Sequence, residues 1–180
     1  MSSTVRALHR SAEYTFAKET CASLELVAGI GVAGDAHAGA TVRHRSRIER
    51  DPNQPNLRQV HLFDGEVLDM LASEGFGVHP GALGENVTTT GLDVLSLPTG
   101  TLLRIGDAAL LGLTGIRNPC AQIEARYPGL LKRMVHRDDA DHLHRLTGAM
   151  AVVLQPGSVR VGDMIDVQLP PGAPQPLQLV

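Results

Sequence analysis

Short apolar runs, each closed by a glycine, a proline or a polar pair, recur from residue 4 to residue 169. That pattern predicts strands joined by turns rather than a helical fold. Strands are expected at residues 4–9, 23–27, 57–63, 85–90, 102–105, 108–114, 149–154, 158–161 and 164–169. Gly106-Asp107 marks a hairpin between two of them, and Pro156-Gly157 and Gly162-Asp163 mark further turns. Helical periodicity is local. Val67, Leu68 and Leu71 give residues 64–74 one apolar face behind a capping Asp64, and residues 121–126 and 129–135 read as short helical pieces around Pro128. The sum is a mainly β fold, expected as a closed antiparallel β-barrel with a few short helices at one side.

Two segments break the pattern. Residues 41–56 are nearly devoid of apolar side chains, carry Arg43, His44, Arg45, Arg47 and Arg50, and end among prolines, so an exposed, mobile flap is expected. Residues 170–180 hold four prolines and cannot pair as a central strand; an extended or disordered tail is expected after one domain spanning residues 1–169. The glycine-punctuated stretch from Gly29 to Gly39, polar at Asp35 and His37, reads as a loop with close backbone approach.

Composition narrows the function classes. A chain of 180 residues with net charge -3 builds one sizeable core and lacks the basic excess of nucleic-acid proteins. With no Trp, three Phe and two Tyr, it has no base-stacking platform. No apolar stretch is long enough for a membrane span, and the first residues do not resemble a signal peptide, so a cytoplasmic protein is expected. The two cysteines, Cys21 and Cys120, are far apart and lack zinc spacing, so neither a disulfide framework nor a structural zinc site is expected. His142-Leu143-His144 would offer a metal two ligands on one face only as a strand. Neither a phosphate-binding Gly-Lys-Ser/Thr loop nor a Gly-x-Ser-x-Gly nucleophile motif occurs.

Candidate chemistry centres on Cys120, in Arg117-Asn118-Pro119-Cys120. With Asn118 as helix cap and Pro119 at the first helical position, the thiol would face unpaired backbone N–H groups, with Arg117 close by. Both features favour the thiolate. A small buried apolar role for the same cysteine stays open. Other polar clusters are Asp35 with His37, the arginines of residues 41–56, Arg58 with His61, and Glu85-Asn86 after Gly84. Asp35 either bonds its own backbone in a turn or lines a site. Arg58 and His61, three apart on an expected strand, would point to opposite faces, so only one could face a shared pocket.

Taken in order, Gly84-Glu85-Asn86, Gly91-Leu92, Leu97-Pro98-x-Gly100, the strand pair around Gly106-Asp107, Arg117-Asn118-Pro119-Cys120 and Gly157-Ser158-Val159-x-Val161-Gly162-Asp163 resemble the MOSC family, the domain at the C-terminus of molybdenum cofactor sulfurases and of small free-standing bacterial proteins. Gly34-Asp35-x-His37 and Arg58 to Leu62 look like the front half of the free-standing type. The resemblance implies a barrel of the pyruvate-kinase β-domain type and a site for the molybdenum cofactor (molybdopterin), with Cys120 on the family cysteine as metal ligand or sulfur carrier. It implies Arg117 and Arg58, then Arg45 and Arg43, with Glu85 and Asn86, as cofactor-binding residues, and Asp35, His37 and His61 as groups that move protons or position substrate.

Three functions follow as expectations. One is a reductase of N-hydroxylated small molecules, fed by an electron-donor protein. The second is a sulfur carrier or cofactor-delivery module loaded by a sulfur-donor protein, and the third a non-catalytic interaction barrel. Pyridoxal phosphate is not expected, since Lys18 and Lys132 are the only lysines and neither lies in a recognisable motif.

Overall fold

The computed structural model describes residues 2–180, apart from the side chains of Arg45 and Ser46. Strands dominate: β1 Thr4–Arg10, β2 Glu19–Cys21, β3 Ser23–Val27, β4 Gly31–Val32, β5 Val60–Asp64, β6 Val87–Thr90, β7 Leu102–Ile105, β8 Ala109–Ile116, β9 Val135–Arg137, β10 Leu143–Arg145, β11 Ala149–Gln155, β12 Gly157–Arg160 and β13 Ile165–Gln168. Helices are short: α1 Arg45–Ile48, α2 Gly65–Ser73, α3 Ala121–Arg126 and α4 Leu130–Met134.

The expected closed barrel is not formed. Eight strands make one open sheet in the order β13-β7-β8-β11-β5-β6-β1-β2, and β12-β3-β4 form a separate sheet. Closure would need a ladder between β1 and β13. The outer edge of β1 is divided instead: Leu8, His9 and Arg10 pair with β2, and only the first residues reach β13, through a single Thr4–Met164 bridge and the Val5–Asp163 and Ile165–Ser3 backbone bonds. Two expected strands, β3 and β12, pair with each other in the separate sheet, Val159 opposite Leu24.

One pairing is parallel. β5 runs into α2 and the chain returns as β6 beside β5, with Leu62 opposite Val87. Local chemistry sets the start of α2, where the Asp64 carboxylate accepts from the Glu66 N–H at 3.0 Å. The apolar stripe then buries Leu68 and Leu71.

Two cores result. The inner face of the sheet packs Val5, Leu8, Leu62, Leu103, Ile105 and Leu111 with neighbours. A second core lies between Phe63 on β5 and the helices, where Leu68, Leu71, Leu83, Ile123, Leu130 and Met134 meet. The seam between the two cores is where β5, β8 and β11 end together, and the polar residues of interest gather there.

Residues 41–56 are largely exposed and are tied down near both ends. Val42 and Asn56 are buried, a Thr41–Pro55 bridge closes the segment on itself, and the Asn56 side chain donates to His37 O and Gly39 O at 3.0 and 2.9 Å. The tail is extended and docked. Leu177 is buried, and Gln178 and Val180 exchange backbone bonds with Ile116 at the end of β8. β9 and β10 form a small hairpin that the charge-rich sequence concealed. Among the described residues, no helix is long and apolar enough to cross a membrane.

Candidate functional site

A cavity of ≈ 100 Å³ opens at this seam, between the 41–56 segment and the strand ends. Lys18, Arg43, Arg47, Arg58 and Arg117 line it, together with His37, His44, His61, Asn86 and an apolar wall that includes Phe16, Val42 and Met150. Among the described residues, no carboxylate lines it. For a chain of net charge -3, this is a strong local concentration of positive charge.

Arg117 leaves β8 as the chain turns away from the sheet, and its backbone is held by Gly148 O and by the Thr147 hydroxyl. Its Nη1 is sealed from solvent and makes no hydrogen bond within the described residues. An unsatisfied buried guanidinium nitrogen is costly unless an anion meets it. Burial lowers the Arg117 pKa, and Arg58 is held down to about 10, first by burial and then by the charges of Arg47 and Arg117. Burial dominates both shifts, and for Arg58 the neighbouring guanidinium charges add to it.

Arg58 and His61 both line the cavity, against the expectation that only one could. Strand alternation does not apply, because β5 starts at Val60 and Arg58 belongs to the preceding turn, where its N–H donates to Asn56 Oδ1 at 3.0 Å. His61 is deeply buried, and its Nε2 lies 3.0 Å from Thr147 O, so that nitrogen carries the proton. Burial, then the Arg117 charge, drives its pKa well down, keeping the ring neutral. Gly148 makes room for it: its φ is +77°, and a Cβ there would lie 2.6 Å from His61 Nε2.

Asp35 is more than a turn residue. Its Oδ2 accepts from Lys18 Nζ at 2.7 Å, Asn86 Nδ2 at 3.0 Å and Ser11 N at 3.4 Å; its Oδ1 accepts from His37 N at 2.9 Å and faces His37 Nδ1 at 3.2 Å. These partners outweigh burial and hold the carboxyl far below the usual carboxylate range. Asn86 also bonds His9 O and the His61 N–H, riveting β1, β5 and the Asp35 loop together. Glu85 faces inward. Its buried carboxylate accepts from Gly81 N, Leu83 N and Thr88 Oγ1, and it acts on Lys18 and Arg117 through its charge, not from the cavity wall.

Cys120 is itself the N-cap of α3, where Asn118 had been expected. The thiol makes no capping bond; its partner is Gln122 Oε1 at 3.9 Å, and its inner side packs on the second core. Gln122 lines the cavity while Cys120 does not, which sets the thiol at the rim rather than inside. Arg43 lines the mouth, with Nε donating to Ala38 O, while the side chain of Arg45 lies outside the described residues.

Sequence reasoning passed over Lys18 and His44 as site residues and took Arg47 only as part of the arginine-rich segment. Lys18 stands in no motif, and only the return of β2 alongside β1 brings it to Asp35. Burial, with the charges of Arg58, His37, Arg117 and Arg47, holds His44 down to about 4. Among the described residues, no group of His, Cys, Asp and Glu side chains is arranged to hold a metal ion by itself.

Known proteins share both sequence and architecture with this chain. YuaD of Bacillus subtilis (strain 168), whose name provisionally places it in metal-sulfur cluster biosynthesis, is 30% identical over 148 residues, covering 76% of each chain. A protein named reductase from Gibberella moniliformis (strain M3125 / FGSC 7600) is 29% identical over 143 residues, and the match spans 22% of that longer protein. Among solved structures, YuaD from Bacillus subtilis superposes with a TM-score of 0.71 at 24% identity, covering 93% of this chain and 96% of the other. YiiM from Escherichia coli gives 0.65 at 20% identity, covering 97% and 73%. These two share the fold. The family model for the MOSC domain matches residues 37–166, a span running from His37 through Arg58, His61, Arg117 and Cys120 to β13, and by that match this chain belongs to the MOSC domain family.

Proposed function

We propose that the cavity holds the anionic part of a molybdenum cofactor and that the protein reduces N-hydroxylated small molecules. The carrying observation is the cluster of five basic side chains without a lining carboxylate, one of them with a buried, unpartnered Nη1. Arg117 and Arg58 fit a phosphate group because guanidinium offers paired donors to its oxygens. Lys18 also lines the wall, its charge paired with Asp35. A cavity of ≈ 100 Å³ suits a phosphate-sized group, leaving the rest of the ligand toward the rim at Cys120. There the Cys120 sulfur would be a soft ligand for molybdenum. When bound, the cofactor supplies a two-electron redox centre.

Reduction of an N-hydroxyl group consumes two electrons and two protons and releases an amine and water. The electrons come from a partner protein, and the chain supplies binding and proton delivery. The family and the reductase name of one relative support this reading. The test is anaerobic incubation with molybdenum cofactor released from a molybdoenzyme, gel filtration, and metal analysis. Retention by the wild type that falls in Cys120→Ala and Arg117→Met is expected. Equal retention by wild type and Cys120→Ala would remove the ligand role, and no retention by the wild type would overturn the reading.

The half-exposed thiol also supports a second reading, a sulfur carrier, in keeping with the name given to YuaD. Incubation with cysteine and a cysteine desulfurase should then add one sulfur to Cys120 by mass spectrometry. An unchanged mass argues against it.

A further inference from the structure

We infer that Lys18, Asp35 and His37 form a relay that makes His37 the proton donor to the departing hydroxyl oxygen of the substrate. The inference rests on the reductase reading above and selects among its candidate proton donors. His61 is unsuited because its Nε2 proton is committed to Thr147 O at the buried end of the cavity. Asp35 is held ionised by its five donors and has no proton to give.

His37 differs from both. Its backbone N–H and ring Nδ1 face the same Asp35 oxygen, which fixes the ring in the tautomer with hydrogen on Nδ1 whenever it is neutral. Its Nε2 makes no hydrogen bond within the described residues, and the ring lines the cavity while remaining 30% exposed, so it can be reprotonated from solvent. Tyr14, edge-on at 5.4 Å, and the His44 ring at 6.2 Å limit its rotation. A carboxylate that orients an imidazole and stabilises its cation is the arrangement of the Ser-His-Asp triad, in which histidine moves protons.

Lys18 is a positioning residue. By occupying Oδ2 at 2.7 Å it leaves Oδ1 to the histidine and fixes the carboxylate that orients the ring. The step balances. As the two electrons reach nitrogen, the N–O bond breaks; the Nε2 proton of the imidazolium passes to the oxygen, and water departs. The second proton reaches nitrogen from solvent, and the neutral His37 regains its own proton through its exposed edge.

Two readouts test this. The first needs no cofactor: nitrogen-15 spectra of histidine-labelled protein, with the His37 signals identified by their loss in His37→Gln. In spectra of the neutral ring, the Nδ1–H tautomer is expected for the wild type, shifting to a mixture in Asp35→Asn. The Nε2–H tautomer in the wild type would overturn the relay. The second uses protein loaded with molybdenum cofactor and a chemical reductant, assayed on a hydroxylaminopurine. His37→Ala should retain molybdenum but lose roughly 10²–10⁴-fold in kcat, with partial rescue by added imidazole. Lys18→Gln should lower kcat with little change in KM. Full activity of His37→Ala overturns the proton-donor role. Failure of the wild type to retain molybdenum overturns the reductase reading, while the tautomer still decides whether the relay exists.

Discussion

Lys18 Nζ and Asp35 Oδ2 lie 2.7 Å apart where neither side chain is more than 4% exposed, so the two charges were both removed from water and depend on each other. Burial alone would neutralise the lysine, and it lowers its pKa, while the carboxylate opposes that shift. Breaking such a pair is costly because it strands the surviving charge. Lys18→Met and Asp35→Asn should each destabilise the protein by roughly 3–5 kcal/mol, and the double variant should lose less than the sum. Urea unfolding of the four proteins checks this; additive losses would mean that the pair is not coupled.

Arg117 gives a second expectation. Its unpartnered Nη1 should be satisfied by any tetrahedral oxyanion that enters the cavity. Titration calorimetry with inorganic phosphate should show binding that weakens with salt. A charged hydrogen bond contributes about 1.5–3 kcal/mol, so Arg117→Gln should weaken it roughly 10- to 100-fold. Equal affinity in the variant would place the anion elsewhere.

Asp64 and Glu66, away from the cavity at the start of α2, titrate in opposite directions. Burial, followed by its hydrogen bond and charge repulsion with Glu66, raises the Asp64 carboxyl to about 7; Glu66, bonded by Asp64, Thr90 and Gly91, is lowered to about 2. Because the Asp64 pKa is higher in the folded state, its contribution is fully present below about pH 4 and is lost as pH rises toward 7. That loss is limited to about 1.4 kcal/mol per pH unit. The Glu66 contribution has the opposite sign: present above its unfolded value, it fades as pH falls toward 2. Thermal melts between pH 4 and 8 should show the Asp64-linked decline, and Asp64→Asn should remove it. An identical decline in the variant would assign it to another group.

Gly81 tests the packing behind the site. At φ +86°, a Cβ would stand 2.7 Å from the His9 ring and 2.8 Å from Lys18 O. His9 has nowhere to go: its ring is fully buried, both nitrogens lack hydrogen-bond partners among the described residues, and burial holds its pKa down to about 4. Gly81→Ala should therefore cost roughly 1–3 kcal/mol and weaken phosphate binding by shifting Lys18. Gly75→Ala is the control. Its φ is also positive, but its Cβ would meet nothing within 4 Å, so it should lower stability while leaving phosphate affinity unchanged.

Much of the local structure was legible because it depends on near neighbours. The Gly106-Asp107 turn, the Asp64 cap and the β-branched run that becomes β11 each act within a few residues. The barrel expectation failed because closure depends on how β1 divides its edge between β2 and the 163–165 turn, which no local pattern encodes. Arg58 was misjudged by alternation for a similar reason: where β5 begins is set by pairing with β11, not by Arg58 and its neighbours. Cys120 and Arg117 stood out through an ordered set of motifs, whereas Lys18 carried no motif at all.

From the sequence alone came the β-rich texture, the short helices, the resemblance that the family match upheld, and a cysteine beside an arginine as the centre of interest. Only the tertiary structure decided that the sheet stays open, that residues 41–56 fold over a cavity, and that cations spread from Lys18 to Arg117 face it together. The physical reason is range. Turn, cap and periodicity signals act over a few residues, whereas a lone buried lysine becomes a site residue only when a carboxylate from the next loop arrives 2.7 Å away.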